Sequence, residues 1–109
     1  MATFFRNKVI NNVGTVPIPA FDVTPGSNVT VVGISVTNIT EWTIRISIVL
    51  KDDTSVEGFF VKDVEVPPNN SFRALPPGEK LIMSANNVIS IYSDMDDSAD
   101  VIFSYVEIV

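Results

Sequence analysis

The most constraining feature of this sequence is a strict alternation of apolar and polar residues near its middle. Five large apolar side chains fall at every second position, namely Trp42, Ile44, Ile46, Ile48 and Leu50. Successive side chains of a β-strand point to opposite faces, so this spacing places all five on one face. We therefore predict a long, half-buried strand with Trp42 in the core.

Strand-like segments recur along the rest of the chain at short spacing. Apolar and β-branched residues dominate stretches at 29–36, 42–50, 56–66, 71–75, 80–84, 88–93 and 101–109. Turn-forming Pro, Gly, Asn and Asp residues separate them, and Gly33 marks a bulge or a point of close approach. No window keeps the apolar spacing of a helix. The sequence predicts an all-β fold, an antiparallel β-sandwich of jelly-roll or immunoglobulin-like type with about eight strands.

The first 20 residues differ from the remainder because Pro17 and Pro19 interrupt an otherwise apolar segment. Proline cannot donate a hydrogen bond to a sheet, so we expect residues 1–20 to form an extended arm or an edge strand. The sandwich domain is then expected at 21–109. A segment this apolar is expected to pack against another surface, either its own domain or a neighbouring subunit. The sequence leaves both alternatives open.

The residue types that are missing exclude several classes of chemistry. The chain has no His and no Cys, so Ser–His and Cys–His nucleophile pairs and the usual zinc sites are impossible. Its 13 acidic and 7 basic residues give a formal charge of −6, which argues against a nucleic-acid partner. The apolar runs are far shorter than the roughly 20 residues of a membrane span, so we expect no membrane partner.

The densest group of carboxylates lies near the end of the chain and comprises Asp94, Asp96, Asp97 and Asp100. Carboxylate oxygens suit Ca²⁺, so these four residues are calcium candidates. The loop lacks the Gly and Glu of an EF-hand, and the alternative is an acidic hairpin tip. No other metal and no cofactor is expected. The paired acids Asp52 and Asp53 lie in a predicted turn, where no burial would prepare one of them as an acid catalyst, so we expect no enzyme.

Aromatic residues offer both core and surface alternatives. Trp42, Tyr92, Tyr105 and the seven Phe residues could form a sugar-stacking platform, although the register of Trp42 favours the core. Phe59 and Phe60 are adjacent and must point to opposite faces, so one faces away from the core. The closing strand at 101–109 is apolar on both faces, which predicts a covering partner. Together with the apolar arm, these features give the candidate interface residues Phe4, Phe5, Arg6, Lys8, Phe59, Phe60, Phe103, Tyr105 and Ile108.

Three stretches of the chain together resemble small all-β virion proteins of tailed bacteriophages. They are a turn and strand at 25–38, a Val-Lys-Asp…Val-Pro element at 61–67 and an apolar closing strand at 101–109. The resemblance implies a non-enzymatic structural protein located in the virion, foremost a capsid decoration or cement subunit. The alternatives are a component of the neck, collar, tail fibre or tail tip, or a carbohydrate-binding module for host recognition.

The expected partners are copies of the same chain and other virion proteins such as the major capsid protein. Self-association follows from the residues, because a domain of this size has limited capacity to bury an apolar arm and a two-sided closing strand. The number of copies follows from the resemblance alone, which implies a homotrimer.

Overall fold

The computed structural model describes residues 2–76 and 78–109, apart from the Asp22 side chain. Over these residues the chain forms nine strands and no helix: β1 Thr3–Val13, β2 Ile18–Asp22, β3 Asn28–Asn38, β4 Ile44–Lys51, β5 Glu57–Val66, β6 Ser71–Arg73, β7 Leu81–Met83, β8 Val88–Ser93 and β9 Ala99–Ile108. The predicted all-β antiparallel sandwich is confirmed. In the described part of the chain, no helix has the length and hydropathy to cross a membrane.

The nine strands form two antiparallel sheets. The five-stranded sheet has the order β1-β9-β3-β6, with β7 also paired to β3, and the four-stranded sheet has the order β2-β8-β4-β5. The pairs are nested: β4 pairs with β5, β3 with β6 and β7, β2 with β8, and β1 with β9. The second half of the chain thus folds back along the first, which is jelly-roll connectivity rather than the immunoglobulin-like alternative.

The core lies between the sheets and is built from alternate residues of each strand. Ile44, Ile46 and Ile48 of β4 are fully buried, as the alternation predicts. In β9, Phe103 is fully buried and meets the ring of Phe21 edge-on, with 5.6 Å between the ring centroids. Edge-to-face aromatic pairs stabilise a core beyond the area that they bury, so the two rings help to join the sheets.

The N-terminal segment belongs to both sheets of the sandwich. β1 is the outer strand of the five-stranded sheet and pairs with β9, while β2 forms an edge of the four-stranded sheet beside β8. Pro19 therefore lies on an edge strand, where a missing N–H does least harm. Of the alternatives for residues 1–20, the edge strand on the chain's own domain is the one observed, and the expected boundary after residue 20 falls inside β2.

The prediction that Trp42 lies in the core is wrong. β4 begins at Ile44, and Trp42 lies in the preceding bend with 67% of its surface exposed. The cause is local, because the Asn38 side chain accepts a hydrogen bond from the Thr40 N–H and donates one to the Trp42 carbonyl. These bonds turn the chain before the strand starts, so the alternation of buried residues begins two positions later than the sequence suggests.

Candidate functional site

The outer face of the five-stranded sheet carries a row of paired side chains that is apolar at three of its four positions. The row crosses four strands, from Phe5 in β1 through Val106 in β9 and Thr30 in β3 to Ile82 in β7. Phe5 is 85% exposed and Ile82 is 74% exposed. Single exposed apolar residues are ordinary, whereas a contiguous group of them marks an interaction surface.

A second row runs parallel to the first, from Val9 through Ile102 and Ser35 to Arg73. Val9 and Ile102 are both exposed. The two rows, with Ile108 beside the first, form a surface that we call the uncovered face, made of Phe5, Val9, Thr30, Ser35, Arg73, Ile82, Ile102, Val106 and Ile108.

Small residues between the two rows leave a shallow depression. Gly33 lies opposite Ser104 at a bulge in β3, as the sequence predicts, and a β-carbon on Gly33 would lie 3.7 Å from that of Ser104. The depression has a volume of about 300 Å³, and Ser35, Leu75 and Ile102 contribute to its lining. A shallow depression between apolar rows suits a protruding side chain of a partner protein better than an enclosed small ligand.

The middle of the uncovered face is uncharged. The outward-facing positions hold no acidic or basic side chain in three stretches of described strand, at 3–9, 28–35 and 102–108. The outer face of the four-stranded sheet instead carries Arg45 opposite Glu65 and Lys51 opposite Glu57. In a chain of net charge −6, an uncharged surface is the one on which a second copy meets the least repulsion.

Five of the predicted interface residues lie in β1 and at the end of β9: Phe4, Phe5, Arg6, Lys8 and Ile108. Phe5 and Ile108 belong to the uncovered face. Arg6 lies on the other side of β1, where its Nε donates to Glu107 at 2.9 Å and its guanidinium lies 4.7 Å from the centre of the Phe4 ring. The Arg6 charge is therefore already compensated within the chain, and it offers less to a partner than the sequence suggested.

Phe103 is a core residue, so its prediction as an interface residue is wrong. It is fully buried, and Tyr105 in the same strand is half-buried and stacks on Phe21 with 4.8 Å between ring centroids. Phe60 packs against the core, whereas its neighbour Phe59 is exposed on the outer face of the four-stranded sheet. The inward side of the closing strand thus belongs to the domain's own core.

The four acids considered as calcium ligands do not converge on one point. Three of them each accept a hydrogen bond from a different backbone N–H, Asp94 from Arg45 in β4, Asp96 from Thr15 just after β1, and Asp100 from Asn12 at the end of β1. Asp97 occupies the turn, with a positive φ of 50°. Within the described residues, no group of three or more such side chains could hold a metal ion. The calcium hypothesis fails, and the acids instead attach the loop to neighbouring segments.

Two carboxylates of the chain are held in their ionised form by local hydrogen bonds. The backbone N–H and the hydroxyl of Thr15 both donate to Asp96, and they lower the pKa of that carboxyl from its ordinary value of 3.8. In the loop between β4 and β5, the hydroxyl of Thr54 and the N–H of Val56 lower the pKa of Asp52 in the same way. Both loops therefore depend on an ionised carboxylate.

We expect the stabilising effect of Asp96 to disappear in acid. A carboxyl whose pKa is lower in the folded chain stabilises the fold above its unfolded-state pKa, and it loses that effect as the pH falls through the folded-state pKa. Asp96→Asn should lower the urea midpoint at pH 7, and its difference from the wild type should shrink below pH 3.8. The control is Asp53→Asn, at an exposed acid in the β4–β5 loop. A difference that persists unchanged at low pH would contradict the prediction.

Among the apolar members of the uncovered face, the predicted interface residues missed Val9, Ile82, Ile102 and Val106. The two-sided apolar pattern of the closing strand contained the signal for Ile102, since every second residue on its outer side could have been included. Ile82 gave no comparable signal, because it lies in a strand of three residues, which is too short to show a period.

Comparisons with protein-family models, with curated proteins and with solved structures find no match for this chain. The chemistry of its surfaces is therefore what bears on function. The uncovered face offers apolar area, a shallow depression and little charge, which together favour the burial of this face against another protein.

Proposed function

We propose that this protein is a non-enzymatic structural subunit that associates with copies of itself through the uncovered face. The observation that carries the proposal is the row from Phe5 to Ile82, in which the two end residues are exposed and Val106 is half-buried, on a sheet whose other side is already the core. Exposure of each apolar side chain in that row to water is unfavourable. A partner that covers the side chain removes this cost in free energy.

Burial of the uncovered face is large enough in principle to drive association. A few hundred Å² of apolar surface corresponds to several kcal/mol at about 25 cal/mol per Å². That gain must exceed the loss of translational and rotational freedom, so the side chains that bury the most apolar surface on association matter most. Phe5 and Ile82 are the side chains with the most exposed surface to lose.

A second copy of the chain fits the face better than a charged partner does. The middle of the face has no charge to pair with, while the acidic side chains that give the chain its net charge of −6 lie elsewhere on the molecule. Identical subunits usually form closed symmetric assemblies in which the same few contacts repeat. A trimer is the form that the resemblance to bacteriophage virion proteins favours.

The test is the mass of the assembly in solution. We expect wild-type protein at micromolar concentration to sediment as an oligomer of the 11.9 kDa chain. Phe5→Ser and Ile82→Ser should each raise the concentration at half-assembly by about tenfold or more. Val56→Ser is the matched control, since Val56 is 64% exposed but lies in the loop before β5.

A wild-type chain that remains monomeric at high micromolar concentration would refute self-association. An equal weakening by Val56→Ser would show that general surface hydrophobicity, rather than this face, drives assembly.

We further propose that the assembly is part of a bacteriophage particle, as a decoration subunit bound to the major capsid protein. The support is the resemblance in the segments 25–38, 61–67 and 101–109, together with a stable jelly roll whose outer face suits repeated contacts. Antibodies against the chain should label the capsid surface of virions from the strain that carries its gene. Label confined to the neck or tail would favour those alternatives, and unlabelled virions would contradict a structural role in the particle.

A further inference from the structure

A groove crosses the outer face of the four-stranded sheet, on the opposite side of the sandwich from the uncovered face. Its volume is about 420 Å³, and it is lined by Pro17, Val49, Glu57, Gly58, Phe59, Ser90 and Tyr92. Six of these seven residues come from the three strands β4, β5 and β8, and Glu57 and Phe59 lie on the edge strand. The site is thus built on paired strands rather than on loops, which gives its side chains fixed positions.

The register of the strands places two aromatic side chains on this outer face. Ser90 of β8 and Phe59 of β5 lie on either side of Val49 in β4. Tyr92 lies two residues along from Ser90, so its side chain points to the same side of the sheet. Phe59 is 52% exposed, and the Lys62 ammonium lies 5.2 Å from the centre of its ring. Two partly exposed rings therefore flank an aliphatic floor.

The polar groups beside the rings are those that bind hydroxyl groups. The Ser90 and Tyr92 hydroxyls can both donate and accept hydrogen bonds, and the Glu57 carboxylate is a strong acceptor. A sugar ring has an apolar face of C–H groups and a rim of hydroxyls, which match an aromatic ring and such a polar set respectively.

The position of the groove favours a saccharide over a peptide. It runs across β4, whose backbone N–H and C=O groups pair with β5 on one side and with β8 on the other. A peptide bound across the strands would find few backbone partners for its own N–H and C=O groups, and unpaired buried groups are costly. A sugar needs only side-chain partners.

The charge of the groove favours a neutral saccharide. Glu57 brings a carboxylate to the lining, and the whole chain carries a net charge of −6. Lys51 lies directly opposite Glu57 in the sheet and the Lys62 ammonium lies beside the Phe59 ring, whereas the lining itself carries the Glu57 carboxylate as its one charged group. An anionic sugar would meet repulsion from the protein as a whole.

We propose that this groove binds one residue of a neutral saccharide, with the rings of Tyr92 and Phe59 against its C–H face and with Ser90 and Glu57 bonded to its hydroxyls. The site lies on the sheet opposite the uncovered face, so occupation of one surface leaves the other free. The protein would then present a sugar-binding surface outward from an assembly.

The test is an NMR titration of the full ¹⁵N-labelled chain with maltotriose, cellotriose, mannotriose and triacetylchitotriose. We expect at least one of these neutral probes to shift the amide signals of Val49, Phe59 and Tyr92, while signals from the uncovered face stay unchanged. Sialyllactose, an anionic probe, and a proline-rich peptide are titrated in parallel, and neither should shift these signals.

Variants test the assignment of the groove. Tyr92→Ala and Phe59→Ala should each weaken binding about tenfold, as expected for loss of an aromatic contact. Glu57→Gln, a change small enough to leave the strand intact, should also weaken binding. Trp42→Ala is the control, because Trp42 is an exposed aromatic ring that the sequence suggested for sugar stacking and it lies outside the groove. It should bind as the wild type does.

Three results would overturn the proposal. The first is the absence of shifts at the groove with all four neutral saccharides at millimolar concentration. The second is wild-type affinity in Tyr92→Ala, Phe59→Ala and Glu57→Gln. The third is binding of the proline-rich peptide or of sialyllactose in place of the neutral sugars. None of these results bears on self-association, which Phe5→Ser tests separately.

Discussion

Replacement of Phe103 by Ala is expected to lower the free energy of unfolding by about 4 kcal/mol. Phe103 is fully buried between the sheets, and its ring lies 5.6 Å from that of Phe21, which in turn stacks on Tyr105. Removing the ring leaves a cavity at the centre of this aromatic group and removes the contact that orients Phe21. Small domains are stable by only about 5–15 kcal/mol, so the variant should be close to unfolding.

Phe5→Ala is the matched control, because it deletes the same side chain from the same sheet. Phe5 is 85% exposed, and its replacement should change the stability of the monomer by less than about 0.5 kcal/mol. Urea unfolding followed by circular dichroism gives both values. It should be run at a protein concentration low enough to keep the chain monomeric, since self-association would add an apparent stability that Phe5→Ala removes.

The two Phe→Ala values also test which side of β9 is core. If Phe103→Ala costs as little as Phe5→Ala, then Phe103 does not lie in a closed core, and the closing strand has the opposite orientation. If both cost several kcal/mol, then Phe5 is covered in the folded chain and the uncovered face does not exist as described.

The parts of this fold that the sequence predicts are those in which one face of a strand is buried and the other is polar. In β4, Ile44, Ile46 and Ile48 alternate with Arg45 and Ser47, and all three isoleucines are fully buried. Alternation is informative here because a shift by one residue would expose every isoleucine. The predicted strand at 88–93 has the same bounds as β8, in which buried residues alternate with half-buried ones.

The sequence does not predict two kinds of feature. One is the orientation of a strand whose two faces are both apolar, and the other is the pairing of residues that are far apart in the chain. Both faces of β9 are apolar, so the sequence pattern does not show which face is buried. It therefore does not predict that Phe103 points inward and Ile102 outward. The nested pairing of strands was also hidden, since it joins residues such as Phe5 and Val106 that are far apart in the chain. For the same reason, the groove between Phe59 and Tyr92 could not be predicted, because only the sheet brings β5 and β8 together beside β4.

A buried amide determines where the chain turns between β3 and β4, and its loss should be nearly as damaging as the loss of Phe103. Asn38 is 1% exposed, and its Nδ2 lies 2.6 Å from the Trp42 carbonyl oxygen, 3.0 Å from that of Val66 and 3.2 Å from that of Pro67. Its Oδ1 accepts hydrogen bonds from the N–H and the hydroxyl of Thr40, each at 2.8 Å. One side chain thus joins the β3–β4 bend to the end of β5.

We expect Asn38→Ala to lower the free energy of unfolding by about 3 kcal/mol, since it removes the amide from the buried Val66 carbonyl and from the part-buried Thr40 N–H. Asn70→Ala is the control in the neighbouring turn, where the Asn70 amide donates to the Pro68 carbonyl at an exposed position, and its cost should stay below about 1 kcal/mol. Because Asn38 also bonds to Trp42, the fluorescence of this single tryptophan should change in Asn38→Ala and not in Asn70→Ala. Equal costs for the two variants would mean that the buried amide is dispensable, and the bend would then be set by the strands alone.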